Sequence, residues 1–148
     1  MLQGITEREY TIYLPDDYYL SDTCSYPVLY LLHGGNCSNT DWVHWGNLQV
    51  VTDSLVAKGL SSKMIIVCPE ANKNNMIWFN APHWKYEDFF FYEFVPYIET
   101  HYRIKSEKRF RSVAGYSMGG GASIVYGLYH PEMFNVCLLY TSPSPRDA

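Results

Sequence analysis

The residues best suited to chemistry lie at Gly115-Tyr116-Ser117-Met118-Gly119, where a serine sits between two glycines. A match of this kind recurs by chance, so its setting carries the weight. Ser112-Val113-Ala114 reads as a short strand, and the small and apolar residues from Met118 to Tyr129 read as a helix closed by His130-Pro131. A serine on the turn between such a strand and helix is held in a strained conformation with its hydroxyl exposed, as a nucleophile requires. Strand and helix must approach closely there, and Gly115, Gly119, Gly120 and Gly121 meet that demand. The helix N-terminus behind Ser117 also aims the Met118 amide at the place where an attacked carbonyl oxygen would gain negative charge. The plainer reading is a glycine-rich turn that only packs a helix on a sheet. A phosphate cradle fits poorly, because no lysine follows the glycines and Gly-x-Gly-x-x-Gly is not matched.

A second candidate element is His33-Gly34-Gly35. It follows Val28-Leu29-Tyr30-Leu31-Leu32, a continuous apolar run of the type buried on both faces of a parallel sheet. In that position the Gly35 amide would be the second donor to an oxyanion, and a glycine lets a substrate carbonyl come near. The elements that must hold both loops can be read in order. Glu9 to Leu14 alternates as a strand, and Leu48, Val51, Leu55 and Val56 share a helix face that ends at Gly59. Met64 to Cys68 is another buried strand. Glu87-Asp88 opens a helical stretch reaching Tyr102, which Pro96 should kink or divide, and Arg111 to Ala114 is the last strand before the serine. The order β-β-α-β-α-β-α predicts one α/β domain with a mainly parallel sheet and helices on both faces.

At 148 residues, 47% of them hydrophobic, the chain is long enough for a single core. A net charge of −4 gives no basic footprint, so no nucleic acid partner is expected. Apolar runs fall far short of the roughly 20 residues that span a bilayer, so no membrane partner is expected either. Cys24, Cys37, Cys68 and Cys137 lack Cys-x-x-Cys spacing; no metal site and no cofactor are expected. The start carries no basic-then-apolar leader, which as written reads as cytoplasmic. Met1 is equally compatible with an internal start of a secreted parent, and the compartment stays open.

Several longer patterns extend these motifs: Tyr13-Leu14-Pro15, the run from Tyr26 to Gly35, Asp41-Trp42, Met64-Ile65-Ile66-Val67, Val95-Pro96-Tyr97-Ile98-Glu99, His101-Tyr102-Arg103, Ala114 to Gly121, and His130-Pro131-Glu132-Met133-Phe134. Together they resemble the esterases related to esterase D, a family that includes feruloyl and acetyl-xylan esterases, S-formylglutathione hydrolases and mycolyltransferases. The resemblance implies the α/β-hydrolase fold and a Ser-His-acid triad. It implies Ser117 as nucleophile, with the Gly35 and Met118 amides as the oxyanion hole.

In that family the acid and the histidine follow the serine in chain order, whereas only about thirty residues follow Ser117 here. His130 lies thirteen residues on, roughly 20 Å along a helix at about 1.5 Å per residue, too far to reach the Ser117 hydroxyl. It reads instead as a helix C-terminal residue. His33, His44, His83 and His101 precede the serine and would need a different order. Residues 1–136 are therefore expected to be the N-terminal portion of one α/β-hydrolase domain, incomplete at the C-terminus. The stretch 137–148 reads as a non-native tail and resembles one translated frame of a sequencing-library adapter; a natural tail rich in Ser and Pro is the alternative. On that expectation the triad acid and histidine lie beyond the break, and the segment alone is inactive.

Trp42 and Trp78, with Trp45, Phe79 and Trp84, fall in predicted loops, where an exposed aromatic rim would suit a sugar or a phenolic acyl group. Most aromatics in such a chain are core, which is the competing reading. The resemblance, nearest to gut-type carbohydrate esterases through Tyr86-Glu87-Asp88-Phe89-Phe90, implies a serine esterase acting on small-molecule or carbohydrate esters. The alternatives are a thioesterase of the S-formylglutathione hydrolase type, an acyltransferase, and a noncatalytic relative that binds carbohydrate or acyl ligands.

Overall fold

The computed structural model describes Leu2, residues 5–71 and residues 77–140. Five strands, β1 (Tyr10–Tyr13), β2 (Val28–Leu32), β3 (Ile65–Pro69), β6 (Arg111–Tyr116) and β7 (Val136–Tyr140), form one sheet in the order β1-β3-β2-β6-β7. β1 runs antiparallel to β3, and every other pairing is parallel. A short hairpin, β4 (Asn80–Ala81) with β5 (Trp84–Lys85), turns at Pro82-His83, where His83 takes φ 62°.

Alternation along the strands sorts their side chains onto two packed faces. Val28, Tyr30, Leu32, Ile65, Val67 and Val113 join a large cluster with Trp78, Tyr86, Phe90, Phe94, Ile98 and Tyr126. Leu31, Ile66, Cys68 and Ala114 join Leu48 and Trp42 on the other face. That second face is covered by α1 (Asp41–His44) and α2 (Leu48–Ala57). The first is covered by α5 (Met118–Tyr129) and by one long helical stretch: α3 (Tyr86–Phe89), a π-helical turn (Phe90–Phe94) and α4 (Val95–His101). Helices on both faces of a mainly parallel sheet are what the strand–helix alternation predicted.

Two local expectations are corrected. In α2 the inward residues are Leu48 and Thr52, while Val51 and Leu55 are 48% and 39% exposed. A threonine can face the sheet here because its hydroxyl donates to the Leu48 carbonyl at 2.7 Å, leaving no unpaired polar atom. Pro96 does not divide the helix from Tyr86 to His101; the stretch widens into the π-helical turn just before it. Wider i→i+5 bonding re-registers the carbonyls that a proline without an N–H would otherwise leave unpaired. Of the stretch 137–148, residues 137–140 complete β7 and the others lie outside the described residues.

Candidate active site

The chain leaves β6 at Tyr116 and enters α5 at Met118, so Ser117 alone makes the turn. It does so at φ 52° and ψ −121°, a left-handed conformation that costs a non-glycine residue of order 1–3 kcal/mol. Its surroundings over-determine that conformation. The Ser117 amide donates to the Tyr140 carbonyl of β7 at 3.0 Å, and its carbonyl accepts the Gly121 amide at 3.0 Å. A Cβ on Gly115 would lie 2.5 Å from the Gly119 carbonyl oxygen, and one on Gly119 would lie 2.5 Å from the Leu32 carbonyl oxygen. Only glycine lets α5 lie this close to β6 and β2. Gly121, grouped with them on sequence, meets nothing within 4 Å and plays no part in the close approach.

The result is an exposed Ser117 whose hydroxyl has no hydrogen-bond partner among the described residues. Beside it the two expected donor loops meet: a Cβ on Gly35 would sit 3.9 Å from Met118 Sδ. Neither the Gly35 nor the Met118 amide has an acceptor among the described residues. A hydroxyl presented to solvent can be acylated once a base removes its proton, and N–H groups without acceptors among the described residues can donate to an oxyanion.

Among the described residues no histidine ring hydrogen-bonds Ser117. His33 is fully buried and braces the Gly34-Gly35 loop instead. Its Nε2 accepts the Ala71 amide at 3.1 Å, so the ring proton sits on Nδ1 and is donated to the Gly34 carbonyl at 2.8 Å. Glu70 stands 3.4 Å from that Nε2 and accepts the Asn39 amide at 3.0 Å. His130 is the C-cap of α5, as its position after the helix predicted; it stacks on Phe91 at 3.7 Å and bonds Glu87 at 3.1 Å. His101 stacks on Tyr97 at 3.9 Å.

The aromatic rim is largely core. Trp78 is 0% exposed and donates its indole N–H to the His33 carbonyl at 3.2 Å, so it supports the Gly34-Gly35 loop from beneath and offers a ligand no surface. That placement overturns its reading as a substrate contact. Trp84 is buried too, and Trp45 is 84% exposed. Trp42 is half-buried and meets Tyr116 edge-on, ring centres 5.2 Å apart. Sequence reasoning missed Tyr116 itself, whose hydroxyl lies 2.8 Å from Cys37 Sγ. The signal was its place beside the nucleophile at the end of a strand, where alternation fixes which way its side chain points. Burial, and then the contact with Cys37, push the Tyr116 phenol up to about 12, so it stays protonated. Among the described residues no group of three His, Cys, Asp or Glu side chains gathers to hold a metal.

Solved structures similar to this chain share its fold. A ferulic acid esterase is 45% identical, with a TM-score of 0.84 over 87% of this chain and 52% of its own. The feruloyl esterase module from Clostridium thermocellum, solved as a serine-to-alanine mutant with sinapinate, is 22% identical with a TM-score of 0.74, over 86% of this chain and 46% of its own. The fold is that of the α/β-hydrolases. In sequence, the chain is 33% identical over 112 residues to an endo-1,4-beta-xylanase/feruloyl esterase of Xylanibacter ruminicola, covering 74% of this chain and 15% of the relative. It is 31% identical over 141 residues to an esterase of Mycobacterium tuberculosis, covering 90% of this chain and 28% of the relative. The chain thus spans less than a third of these two relatives and about half of the two solved structures. The family model described as "Putative esterase" matches residues 5–147, and the chain belongs to that esterase family.

Proposed function

We propose that the full-length protein is a serine carboxylic-ester hydrolase acting on acylated carbohydrate or phenolic esters, in the manner of a feruloyl or acetyl esterase. Ser117 is its nucleophile, and the Gly35 and Met118 amides form its oxyanion hole. The observation that carries this reading is the left-handed, exposed Ser117 at the N-terminus of α5, near two amides without acceptors among the described residues. In the reaction a base takes the Ser117 proton as Oγ attacks the ester carbonyl. The tetrahedral oxyanion collapses, the alcohol leaves with that proton, and water then releases the acid from the acyl-enzyme. Support for the substrate class comes from the 45% identical ferulic acid esterase and the relative named as a xylanase/feruloyl esterase. Trp42, packed on the residue before the nucleophile, is the aromatic best placed to border an acyl group.

The base and its acid are assigned to further sequence, because the described residues bring no histidine to Ser117 and the chain spans about half of its structural relatives. Residues 1–136 are then the N-terminal part of one domain, and 137–148 a non-native tail whose first four residues pair with β6 as part of β7. The test is labelling of the full-length protein with a fluorophosphonate probe, alongside turnover of methyl ferulate, acetylated xylan and S-formylglutathione. Labelling lost in Ser117→Ala, with preference for the first two substrates, supports the reading. A label that persists in Ser117→Ala ends it.

A further inference from the structure

We propose that Tyr116 is a positioning residue for the oxyanion hole, clamping the loop that carries Gly35 against the nucleophile strand through its hydrogen bond to Cys37. The inference rests on the roles proposed for Ser117 and Gly35. Tyr116 is the last residue of β6, and alternation sends its side chain to the face shared by Ala114 and Trp42, away from α5. There the outer edge of its ring lies against Gly34, so near that a Cβ on Gly34 would come within 2.9 Å of Tyr116 Cε2. Its hydroxyl reaches Cys37 Sγ at 2.8 Å. The two contacts bracket Gly35. Between them Asn36 takes φ 56°, the left-handed turn that brings Cys37 back over the ring. Trp42 also packs on the Tyr116 ring, at 89° to it with centres 5.2 Å apart.

The Gly35 amide has no acceptor among the described residues, so its direction is set by what holds its neighbours. From within the core, His33 Nδ1–H holds the Gly34 carbonyl. From the site side, the Tyr116–Cys37 pair closes the loop. An oxyanion donor must point at the place where charge develops, and a few tenths of an ångström of misalignment forfeits much of its effect. The Tyr116 hydroxyl and the Cys37 thiol can each be deleted without touching the backbone of the elbow.

The experiment compares full-length wild type with Tyr116→Phe, Cys37→Ala, Cys37→Ser and the Tyr116→Phe/Cys37→Ala double variant. Backbone hydrogen exchange of residues 33–38 is followed together with steady-state hydrolysis of 4-nitrophenyl acetate and fluorophosphonate labelling. Tyr116→Phe is expected to speed exchange at residues 34–37 severalfold and to lower kcat about tenfold with KM within about twofold, because only transition-state stabilisation is lost. Cys37→Ala should do the same, the double variant should be no worse than either single one, and Cys37→Ser should recover most of the rate. Unchanged exchange and kcat in Tyr116→Phe, or effects that multiply in the double variant, would overturn the proposal. If wild type shows no Ser117-dependent label, the esterase reading fails instead, and the exchange data still decide whether Tyr116 clamps the loop. Should Tyr116→Phe fail to fold, the contrast between Cys37→Ala and Cys37→Ser decides.

Discussion

The first turn of α5 and its third are attached to the molecule in opposite ways. At Gly115 and Gly119 backbone lies directly on backbone, and there is no room for a methyl group. At Tyr126 the same helix is anchored by bulk. Its ring packs on Phe90 and Phe91, centres 5.0 and 4.9 Å apart, and its hydroxyl donates to the Trp78 carbonyl. One end presents an exposed serine; the other ties His130 to Glu87 and Phe91. The site proposed to bring a hydroxyl and two amides to one carbonyl is built from main chain, whose geometry admits little variation. A core that must only exclude water is built from rings, which have many partners and can share a loss among them.

The sharpest challenge to that contrast is Tyr126→Ala, which removes a fully buried ring and should cost about 3–5 kcal/mol in urea denaturation. A cost below about 1 kcal/mol would mean that the aromatic end is not the anchor. Gly119→Ala should cost about 1–3 kcal/mol or more, since the obstruction is the immovable carbonyl of Leu32, and should abolish fluorophosphonate labelling. Retained labelling at the wild-type rate would show that the elbow tolerates spreading. His130→Ala loses one hydrogen bond and a stack, worth about 1 kcal/mol, while labelling of Ser117 stays within about twofold. A collapse of labelling in that variant would restore His130 as a candidate base. The smallest effect is expected at Gly121, where alanine meets open space and should stabilise the helix by about 0.5–1 kcal/mol in thermal denaturation.

Much of the frame was legible because it depends on neighbours in sequence. The apolar runs that became β2 and β3, the left-handed Gly59 beyond α2, and the closure of α5 at His130 all follow from residue type over a few positions. The face of α2 was misread because periodicity ranks residues by apolarity, and a threonine that satisfies its own hydroxyl can displace a valine from the sheet. Trp78 was misread for a related reason: an aromatic in an irregular segment has no periodicity to report whether it lies in or out. The Tyr116–Cys37 bond joins residues 79 apart, and no local rule links them.

By itself the sequence determined the chemistry available: a serine flanked by glycines where a strand runs into a helix, and a Gly-Gly loop after a buried strand. These are short-range constraints, set by which residues can adopt a left-handed turn and which can lie against another backbone. Only the tertiary structure decided that the two loops meet, that His33 and Trp78 brace one of them from below, and that Tyr116 closes it from above. It also decided that among the described residues no histidine hydrogen-bonds Ser117. Those outcomes follow from how strands are ordered in the sheet, with β2 paired beside β6 although nearly eighty residues separate them, and that order is a property of the packed core as a whole.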